Sequence, residues 1–201
     1  MAAAAVLMSI RKFQEEDLKP AGQMAFDAWA YELDGVGQDL NRFIHEFMVR
    51  YYDTNRQYSF SMGDKSLDAF LLAGFKSDPS GCRVWFENTL SRFSSREKKI
   101  ALDYRDYLSR NGSAVKKYMK DRDIMMGLFM SKGGGTGRKI LTRFEELCRK
   151  NGIGNIFLWA DVTCHYSYYE QNGFQIMERF ENRASVDIGC LDTYIFKKCL
   201  N

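Results

Sequence analysis

The segment Asp123–Ala160 reads DIMMGLFMSKGGGTGRKILTRFEELCRKNGIGNIFLWA, and it decides how the chain is expected to fold. Ile124–Met130 is almost wholly apolar, which is typical of a strand covered on both faces. Arg138–Asn151 repeats apolar residues at helical spacing, and Gly152 is placed to cap the end of that helix. Ile156–Ala160 reads as a second buried strand. This order predicts a strand–helix–strand unit with parallel strands and a right-handed crossover.

Glycines occupy two important places in this unit. Gly127 lies in the middle of the first strand, which predicts a bulge or a close backbone approach. Lys132–Gly137 (KGGGTG) joins that strand to the helix. Glycines let backbone N–H groups approach an anion, and the helix N-terminus adds unpaired N–H groups and a positive dipole end. The turn therefore predicts a pyrophosphate site.

The spacing of the turn excludes two common nucleotide motifs. A P-loop needs Gly-Lys-Ser/Thr at the helix start, where this chain has the sequence GRKI from Gly137 to Ile140. A dinucleotide fingerprint starting at Gly133 needs a third glycine where Arg138 stands, and Asp161 is the nearest acidic residue for a ribose. The spacing that fits is Arg/Gln-x-x-Gly-x-Gly/Ala after a strand, with Lys132 in its first place.

A second block follows one helix and one strand later, where Tyr169–Phe174 reads YEQNGF. Together the two blocks resemble the GNAT acyltransferase superfamily, although the proline usual before the phosphate loop is absent. The close match covers about residues 123–180, and the first strand and the two following helices agree more loosely. The resemblance implies a single α/β domain. Its mixed, mostly antiparallel sheet would have a splayed parallel central pair and flanking helices.

The resemblance also implies a site for acetyl-CoA as acyl donor, without a metal. The residues implied to bind it are Leu128, Phe129, Met130, Lys132, Gly133, Gly134, Gly135, Thr136, Gly137 and Arg138. Tyr169 matches the family tyrosine near the sulfur and would be the general acid, the alternative being a core tyrosine. Tyr166 and Tyr168 are neighbours that could exchange roles with it. Val162 stands where the family often has a pantetheine-binding asparagine, and Asp161 could substitute.

The general base is not assigned by any motif. Candidates are His45, His165 and Glu87, and a relay through water is the alternative to a side-chain base. Each histidine is more often structural or simply exposed than catalytic. Cys164 is better interpreted as a small buried residue than as a nucleophile, because no motif requires an acyl-enzyme.

The function implied is an N-acetyltransferase that moves an acetyl group from acetyl-CoA to a primary amine by direct attack in a ternary complex. The acceptor site is expected from Tyr31–Val36, the second helix and Trp85–Lys120. The acceptor stays open between a small amine, an antibiotic, a peptide N-terminus and a protein lysine. The alternative is a catalytically degenerate module of the same fold that binds or senses CoA, which Val162 and the unassigned base favour.

Composition sets the remaining expectations. The 201 residues, 45% hydrophobic and 27% charged, predict one domain over residues 8–201, with Met8 as the natural start and residues 1–7 non-native or disordered. Five cysteines without CxxC spacing and two histidines give no zinc set and favour reduced thiols in a cytoplasmic protein. No apolar run is long enough to predict a membrane span.

The positive charge is concentrated in one segment. Leu90–Arg122 contains ten basic and four acidic residues, while the formal charge of the whole chain is only +3. We interpret this segment as a solvated helical insertion, with an anionic substrate or RNA partner as the alternative. The overall charge is too small to predict nucleic-acid binding by itself, and nucleic acid is not the expected partner.

The other elements follow from periodicity and turn residues. The predicted elements are a strand at Met8–Phe13, helices at Pro20–Tyr31 and Gln38–Tyr52, a hairpin of Gln57–Met62 with Leu67–Phe75, a short strand or buried corner at Arg83–Phe86, a helix at Ser95–Leu108 that Asn111-Gly112 ends, a short helix from Ser113 to about Lys120, a short helix near Cys164–Asn172, and strands near Phe174–Phe180 and Leu191–Lys197. The last strand could lie at a sheet edge and pair with a second copy as a homodimer.

Overall fold

The computed structural model of the chain describes residues 9–33, 35–64, 66–185 and 189–200. The expectations for residues 1–7, for Met8 and for the turn residue Lys65 fall outside this description. The strands are β1 Ile10–Lys12, β2 Phe60–Met62, β3 Ala69–Phe75, β4 Ile124–Ser131, β5 Asn155–Asp161, β6 Gln175–Ser185 and β7 Gly189–Cys199. The α-helices are α1 Leu18–Trp29, α2 Gln38–Tyr52, α3 Arg83–Leu90, α4 Ser95–Lys116, α5 Thr136–Lys150 and α6 Ser167–Gln171.

The strands form one seven-stranded sheet in the order β1-β2-β3-β4-β5-β7-β6. Neighbouring strands are antiparallel except β4 and β5, which are parallel. The predicted mixed, mostly antiparallel sheet with a parallel central pair is therefore confirmed. The strand–helix–strand unit β4–α5–β5 lies at its centre, as the sequence indicated.

The two parallel strands pair only where they begin. Their register joins Ile124 to Ile156 and Met125 to Phe157. Beyond these pairs β4 continues to Ser131 and β5 to Asp161. Because the ladder stops after two residues, the carboxyl ends of the strands diverge and open a gap in the middle of the sheet.

A bulge at Gly127 accompanies this divergence. Against β3, Leu72 pairs with Leu128 and Ala73 pairs with Met126, so Gly127 is the extra residue that the sequence predicted. An ideal Cβ at this position would lie 2.2 Å from Cδ1 of Tyr52, so the ring of α2 occupies the space that a side chain would need. The position therefore requires glycine for close approach as well as for the bulge.

The bulge also exchanges the two faces of β4. Before it, Ile124 and Met126 pack in the core under α5, whereas after it Leu128 and Met130 pack in the core under α1, α2 and α4. Helix α5 packs against its core with Ile140, Leu141, Phe144 and Cys148. The inserted residue thus shifts the alternation of side chains by one position, so that residues of even number change from one core to the other.

The C-terminal end of α5 follows the prediction. Gly152 adopts φ +68°, and its N–H bonds to the carbonyl of Arg149 at 3.0 Å while Ile153 bonds to Cys148 at 3.0 Å. This crossed pair of bonds satisfies helix carbonyls that would otherwise lack donors.

The predicted short strand or corner at Arg83–Phe86 is wrong, because these residues begin helix α3. Aromatic packing decides the conformation. Phe86 is 2% exposed and its ring centroid lies 4.4 Å from that of Phe47, while Trp85 stacks on Phe43 at 5.3 Å. Four residues with no clear period gave too little pattern to distinguish a strand from a helix.

The predicted break at Asn111-Gly112 is also wrong, as is the separate helix from Ser113. Helix α4 begins after Ser94, whose side chain and Glu97 form a capping box, and runs without interruption to Lys116. Asn111 is fully buried and its Oδ1 accepts from Nδ2 of Asn182 at 2.6 Å. This contact with β6 overrides the local turn preference of Asn-Gly.

The last strand is not at the edge of the sheet. Strand β7 lies between β5 and β6, so β6 is the edge strand on this side. The interpretation that Leu191–Lys197 could lie at an edge and pair there with a second copy is therefore wrong, since both sides of that strand already have partners.

We expect Gly127→Ala to lower the free energy of unfolding by about 1–3 kcal/mol, because the new methyl group would overlap the Tyr52 ring. Urea denaturation measures this change. Gly154→Ala is the matched control, since an ideal Cβ there meets nothing within 4 Å. Equal stabilities for the two variants would contradict the close approach of Tyr52.

Candidate active site

A cleft of about 550 Å³ opens where β4 and β5 diverge. Its first end, here called the loop end, is formed by Gly133, Gly135, Gly137 and Arg138. Its second end, here called the aromatic end, is formed by Trp29, Glu32, Met48, Tyr52, Tyr104, Tyr107, Trp159 and Asp161. Residues 126–131 of β4 line the cleft between the two ends.

The loop end presents free backbone amides. Gly133, Gly134 and Gly135 adopt φ of +98°, +62° and +77°, a run of left-handed conformations that favours glycine. The N–H groups of Gly135, Gly137 and Arg138 have no hydrogen-bond acceptor within the described part of the chain. With the N-terminus of α5 they make a concave surface suited to an anion.

Two hydroxyl groups fix the shape of this loop. Ser131 Oγ and Thr136 Oγ1 are 2.7 Å apart, and Thr136 Oγ1 also donates to the carbonyl of Gly133 at 2.6 Å. The N–H of Gly133 donates to Ser131 Oγ at 3.1 Å. Gly137 lies close beneath, where an ideal Cβ would meet the side chain of Ser131 at 3.1 Å and that of Phe129 at 3.2 Å. Ser131, which also lines the cleft, is absent from the sequence prediction.

The structure brings most of the predicted donor-binding residues together. Seven of them line the cleft, namely Leu128, Phe129, Met130, Gly133, Gly135, Gly137 and Arg138. The other three lie in the same loop but are not among the lining residues. The hydroxyl of Thr136 makes hydrogen bonds within the loop, and Gly134 lies between two lining glycines. Lys132 Nζ lies 3.8 Å from Oδ1 of Asp68.

Tyr169, which the second sequence block offers as the general acid, lines the cleft. It is half-buried, and its ring packs 5.7 Å from Phe174 and 5.6 Å from Phe196. Burial raises the pKa of its phenol above the ordinary value of 10.0, with smaller contributions from Cys164 and Tyr168. The phenol therefore stays protonated at neutral pH, so its hydroxyl carries a proton at the lining of the cleft.

The two neighbouring tyrosines differ from it. Tyr168 also lines the cleft, and its ring centroid lies 5.8 Å from that of Phe129. Its hydroxyl is buried without a hydrogen-bond partner in the described chain. Tyr166 stacks on Tyr194 at 4.9 Å and is not among the lining residues. Of the two alternatives to Tyr169, only Tyr168 reaches the cleft.

The aromatic end is built around Tyr52. Its hydroxyl accepts a hydrogen bond from Nε1 of Trp159 at 2.9 Å, and its ring covers Gly127. Tyr107 meets Trp159 edge-on, with ring centroids 5.6 Å apart. These contacts connect α2, α4 and both splayed strands around one apolar pocket.

Two carboxylates face this pocket, and the first is Asp161 at the end of β5. Its Oδ2 accepts from the Tyr107 hydroxyl at 2.5 Å, and its Oδ1 accepts from Thr163 N at 3.0 Å and Thr163 Oγ1 at 2.5 Å. Burial, and then the negative charge of Asp161, raise the pKa of Tyr107 above its ordinary value. The sequence analysis considered Asp161 only as a substitute for the asparagine that Val162 replaces, but its carboxylate also belongs to this pocket. The backbone N–H of Val162 donates to the carbonyl of Asp192 at 3.0 Å.

The second carboxylate is Glu32, which the sequence analysis missed as an individual residue. It lies in a 3-10 turn, Ala30–Leu33, that continues α1. Nδ2 of Asn41 stabilises this turn by donating a hydrogen bond to the carbonyl of Ala30 at 2.9 Å. Burial raises its pKa from 4.5 to about 7, opposed by the polar side chain of Thr163 and assisted by the charge of Asp161. Its Oε1 is buried without a hydrogen-bond partner in the described residues.

The earlier candidates for a base are less well placed. His45 is buried, its Nδ1 lies 2.8 Å from the carbonyl of Asn41, and burial lowers its pKa, so it is a core residue outside the cleft lining. Glu87 is exposed near Arg83. His165 does line the cleft and is exposed. The missed Glu32 is the better-placed proton acceptor, because it faces the pocket with a pKa near neutrality.

Cys164 lines the same cleft. Burial and the nearby charge of Asp161 raise the pKa of its thiol well above 9.0, so it is held as the weakly nucleophilic thiol. This agrees with the interpretation that it forms no acyl-enzyme.

The described residues contain no cluster of three or more His, Cys, Asp or Glu side chains that could hold a metal ion. No helix among them is long and apolar enough to cross a membrane.

Solved structures give the comparison with known proteins, since no protein-family model and no curated protein matches the chain. Arylalkylamine N-acetyltransferase 2 from Aedes aegypti superposes with a TM-score of 0.58 at 14% identity, covering 97% of this chain and 100% of that one. The ribosomal-protein-S18-alanine N-acetyltransferase from Escherichia coli gives 0.53 at 12% identity, covering 97% and 95%.

A third similar structure is the PaiA N-acetyltransferase from Thermoplasma acidophilum in complex with coenzyme A. Its TM-score is 0.52 at 13% identity, covering 96% of this chain and 98% of that one. These similarities extend over nearly the whole chain, and at such low identity they establish the fold alone. The chain therefore has the GNAT fold that its two sequence blocks indicated.

We expect the stability of the protein to depend on pH through Glu32. Between about pH 4.5 and pH 7 the folded state binds more protons than the unfolded state, so this group's contribution to stability falls as the pH rises. Glu32→Gln removes the titrating carboxylate and therefore this loss of stability at higher pH. The stability gained by the variant should therefore grow by about 1–2 kcal/mol from pH 5 to pH 8.

Urea denaturation at both pH values measures the effect. Glu16→Gln is the control, because Glu16 is exposed and its substitution should give a similar small change at pH 5 and pH 8. A gain for Glu32→Gln that stays constant with pH would contradict the burial of its carboxylate.

Proposed function

We propose that this protein is an N-acetyltransferase that moves an acetyl group from acetyl-CoA to a primary amine in a ternary complex. One observation carries the proposal. The gap between β4 and β5 joins an anion-binding loop to a pocket with buried carboxylates, in one continuous cleft. A donor bound at the loop end and an amine bound at the aromatic end would meet in that gap.

The residues present fit the donor. The free amides of Gly135, Gly137 and Arg138 suit a pyrophosphate, and the Arg138 side chain adds positive charge beside them. Beyond Met125 the edge of β4 that faces β5 has no strand partner in the described sheet. Its backbone groups are therefore available to bind an extended pantetheine arm as an added strand would bind.

The similar structures support the same assignment. Those compared above are called N-acetyltransferases, and one of them was crystallised with coenzyme A. Their acceptors differ, since one name specifies arylalkylamines and another a ribosomal-protein alanine. The shared fold therefore supports acetyl transfer to an amine, while the acceptor has to be inferred from this chain's own residues.

The residues of the cleft can carry the proton transfers. Acetyl-CoA, when bound, supplies an activated acetyl thioester. Tyr169, held protonated by burial, would donate a proton to the leaving sulfur. Cys164, held as a thiol, favours direct attack by the amine over an acyl-enzyme. The carboxylates at the aromatic end supply a proton acceptor, which makes a purely CoA-binding module the less favoured alternative.

We further propose that residues 8–201 form one cytoplasmic domain. Its five cysteines are free, which suits a reducing compartment. Two of the ten cations in the basic segment Leu90–Arg122 pair with acidic residues of α4, Lys99 with Asp103 at 2.6 Å and Arg105 with Asp106 at 2.8 Å. This supports the interpretation of a solvated helix over that of a nucleic-acid surface.

We expect wild-type protein to bind CoA and acetyl-CoA with micromolar affinity in calorimetric titrations. Gly135→Asp should weaken binding at least about tenfold, because it places a carboxylate where the pyrophosphate would lie. Gly135→Asn is the matched control. It has the same shape and the same positive φ but no charge, so the difference between the two variants isolates the electrostatic effect. Failure of the wild type to bind either ligand would reject the proposed function.

We expect Tyr169→Phe to lower kcat by about 100-fold while the affinity for CoA stays within about twofold, because only the proton donor is removed. Tyr166→Phe is the control, since its ring stacks on Tyr194 outside the cleft lining. Tyr168→Phe distinguishes the neighbouring candidate. Unchanged turnover in Tyr169→Phe, combined with a loss in Tyr168→Phe, would transfer the role to Tyr168.

A further inference from the structure

The aromatic end of the cleft carries information about the acceptor, provided that the proposed function holds. The lining residues that are aromatic or apolar there are Trp29, Met48, Tyr52, Tyr104, Tyr107 and Trp159. Two of the polar groups in this set are already bonded within the protein, with Trp159 donating to Tyr52 and Tyr104 donating to Sδ of Met48 at 3.5 Å. The surface left for a ligand is therefore mainly apolar and offers flat aromatic faces.

The charge at this end is of one sign. Glu32 and Asp161 line it, and no lysine or arginine of the described cleft lining lies with them, since Arg138 belongs to the loop end. A cation is therefore the complementary ligand, and an anionic or strongly polar acceptor would face two carboxylates in a pocket with few donors. A primary amine enters such a site as its ammonium form.

The two carboxylates have different duties. Three donors from Tyr107 and Thr163 already occupy Asp161, so it provides a fixed negative charge. Glu32, in contrast, has a buried oxygen without a partner in the described chain, and this oxygen is free to receive a proton. The pair thus combines a site that attracts the ammonium with a site that can deprotonate it.

We propose that the aromatic end binds a small primary amine carried on an apolar, preferably aromatic, group, and that Glu32 is the base that deprotonates its ammonium. Glu32 takes one proton from the ammonium. Tyr169 gives its proton to the departing sulfur as the C–N bond forms and the C–S bond breaks, and it regains a proton from the nitrogen. Glu32 then releases its proton to solvent, so that each turnover yields the amide, the free thiol and one proton.

Among the titratable groups of this site, Glu32 is the one expected to control the pH response, as a comparison with its titratable neighbours indicates. They are Asp161 from β5, Cys164 from the loop after it, Tyr104 from α4 and the adjacent Tyr31. Burial raises the pKa of Tyr104, Tyr31 and Cys164 above their ordinary values, so all three stay neutral at physiological pH. Burial, with a smaller contribution from the charge of Asp161, raises the pKa of Glu32 to about 7, so Glu32 titrates near neutrality.

Steady-state kinetics with acetyl-CoA and a panel of amines tests the acceptor class. The panel contains 2-phenylethylamine as the aromatic probe, spermidine as a polar polyamine, and a short peptide with a free N-terminal alanine and one internal lysine. We expect kcat/KM for 2-phenylethylamine to exceed the other two values by at least about tenfold, because only its side group fills the apolar pocket. Trp29→Ala should raise KM for 2-phenylethylamine about tenfold and leave CoA affinity unchanged.

Glu32→Gln tests the base. We expect kcat/KM for 2-phenylethylamine at pH 7 to fall about 100-fold, and the acidic limb of the wild-type pH profile, with its midpoint near 7, to disappear. Calorimetric CoA binding should stay within about twofold of wild type, which shows that the variant is folded. Glu16 is an exposed glutamate in the turn before α1, and Glu16→Gln should leave both readouts unchanged.

The outcomes separate this proposal from the one it rests on. CoA binding by wild-type protein together with preferred acetylation of spermidine or the peptide, or with no acetylated amine, overturns the acceptor class and leaves the donor site standing. An unchanged pH profile in Glu32→Gln overturns the role of the base. Absence of CoA binding by the wild type overturns both proposals, and places the failure in the donor site.

Discussion

The contact of Tyr52 with Gly127 is the constraint on which the rest of the site depends. The aromatic ring occupies the volume that any larger side chain on β4 would take, and its hydroxyl holds the indole of Trp159 on β5. One side chain of α2 thus sits over the point where the two parallel strands separate. The strands of a sheet normally pair along their whole length, and here the Tyr52 ring packs against β4 close to the point where that pairing ends.

The opening has a different chemical character at its two ends. The loop end offers backbone amides and one arginine, and the aromatic end offers rings and two carboxylates. This charge distribution favours anions at the loop end and cations at the aromatic end of one cleft. The bulge at Gly127 contributes to this arrangement. It shifts the alternation of β4 by one residue, so that Leu128 and Met130 pack in the core with α1, α2 and α4.

How far the sequence predicted the molecule depends on how local each feature is. The β4–α5–β5 unit and its loop come from one continuous stretch, so periodicity and glycine spacing were enough to place the loop, the bulge and the C-cap. The helix at Arg83 and the unbroken α4 depend on contacts with Phe47 and with Asn182, which lie far away in the chain. Glu32 was missed for the same reason. Its character comes from burial near Asp161, and a glutamate after an amphipathic helix carries no local sign of that.

The distribution of tryptophan gives the cleft an optical property. Trp29 and Trp159 line the cleft, whereas Trp85, the third in the chain, stacks on Phe43 in the helical core. Two of the three indole rings of this protein therefore lie beside the space that a ligand would fill. The molecule carries its own fluorescent reporter of occupancy, one that needs no label and leaves every side chain in place.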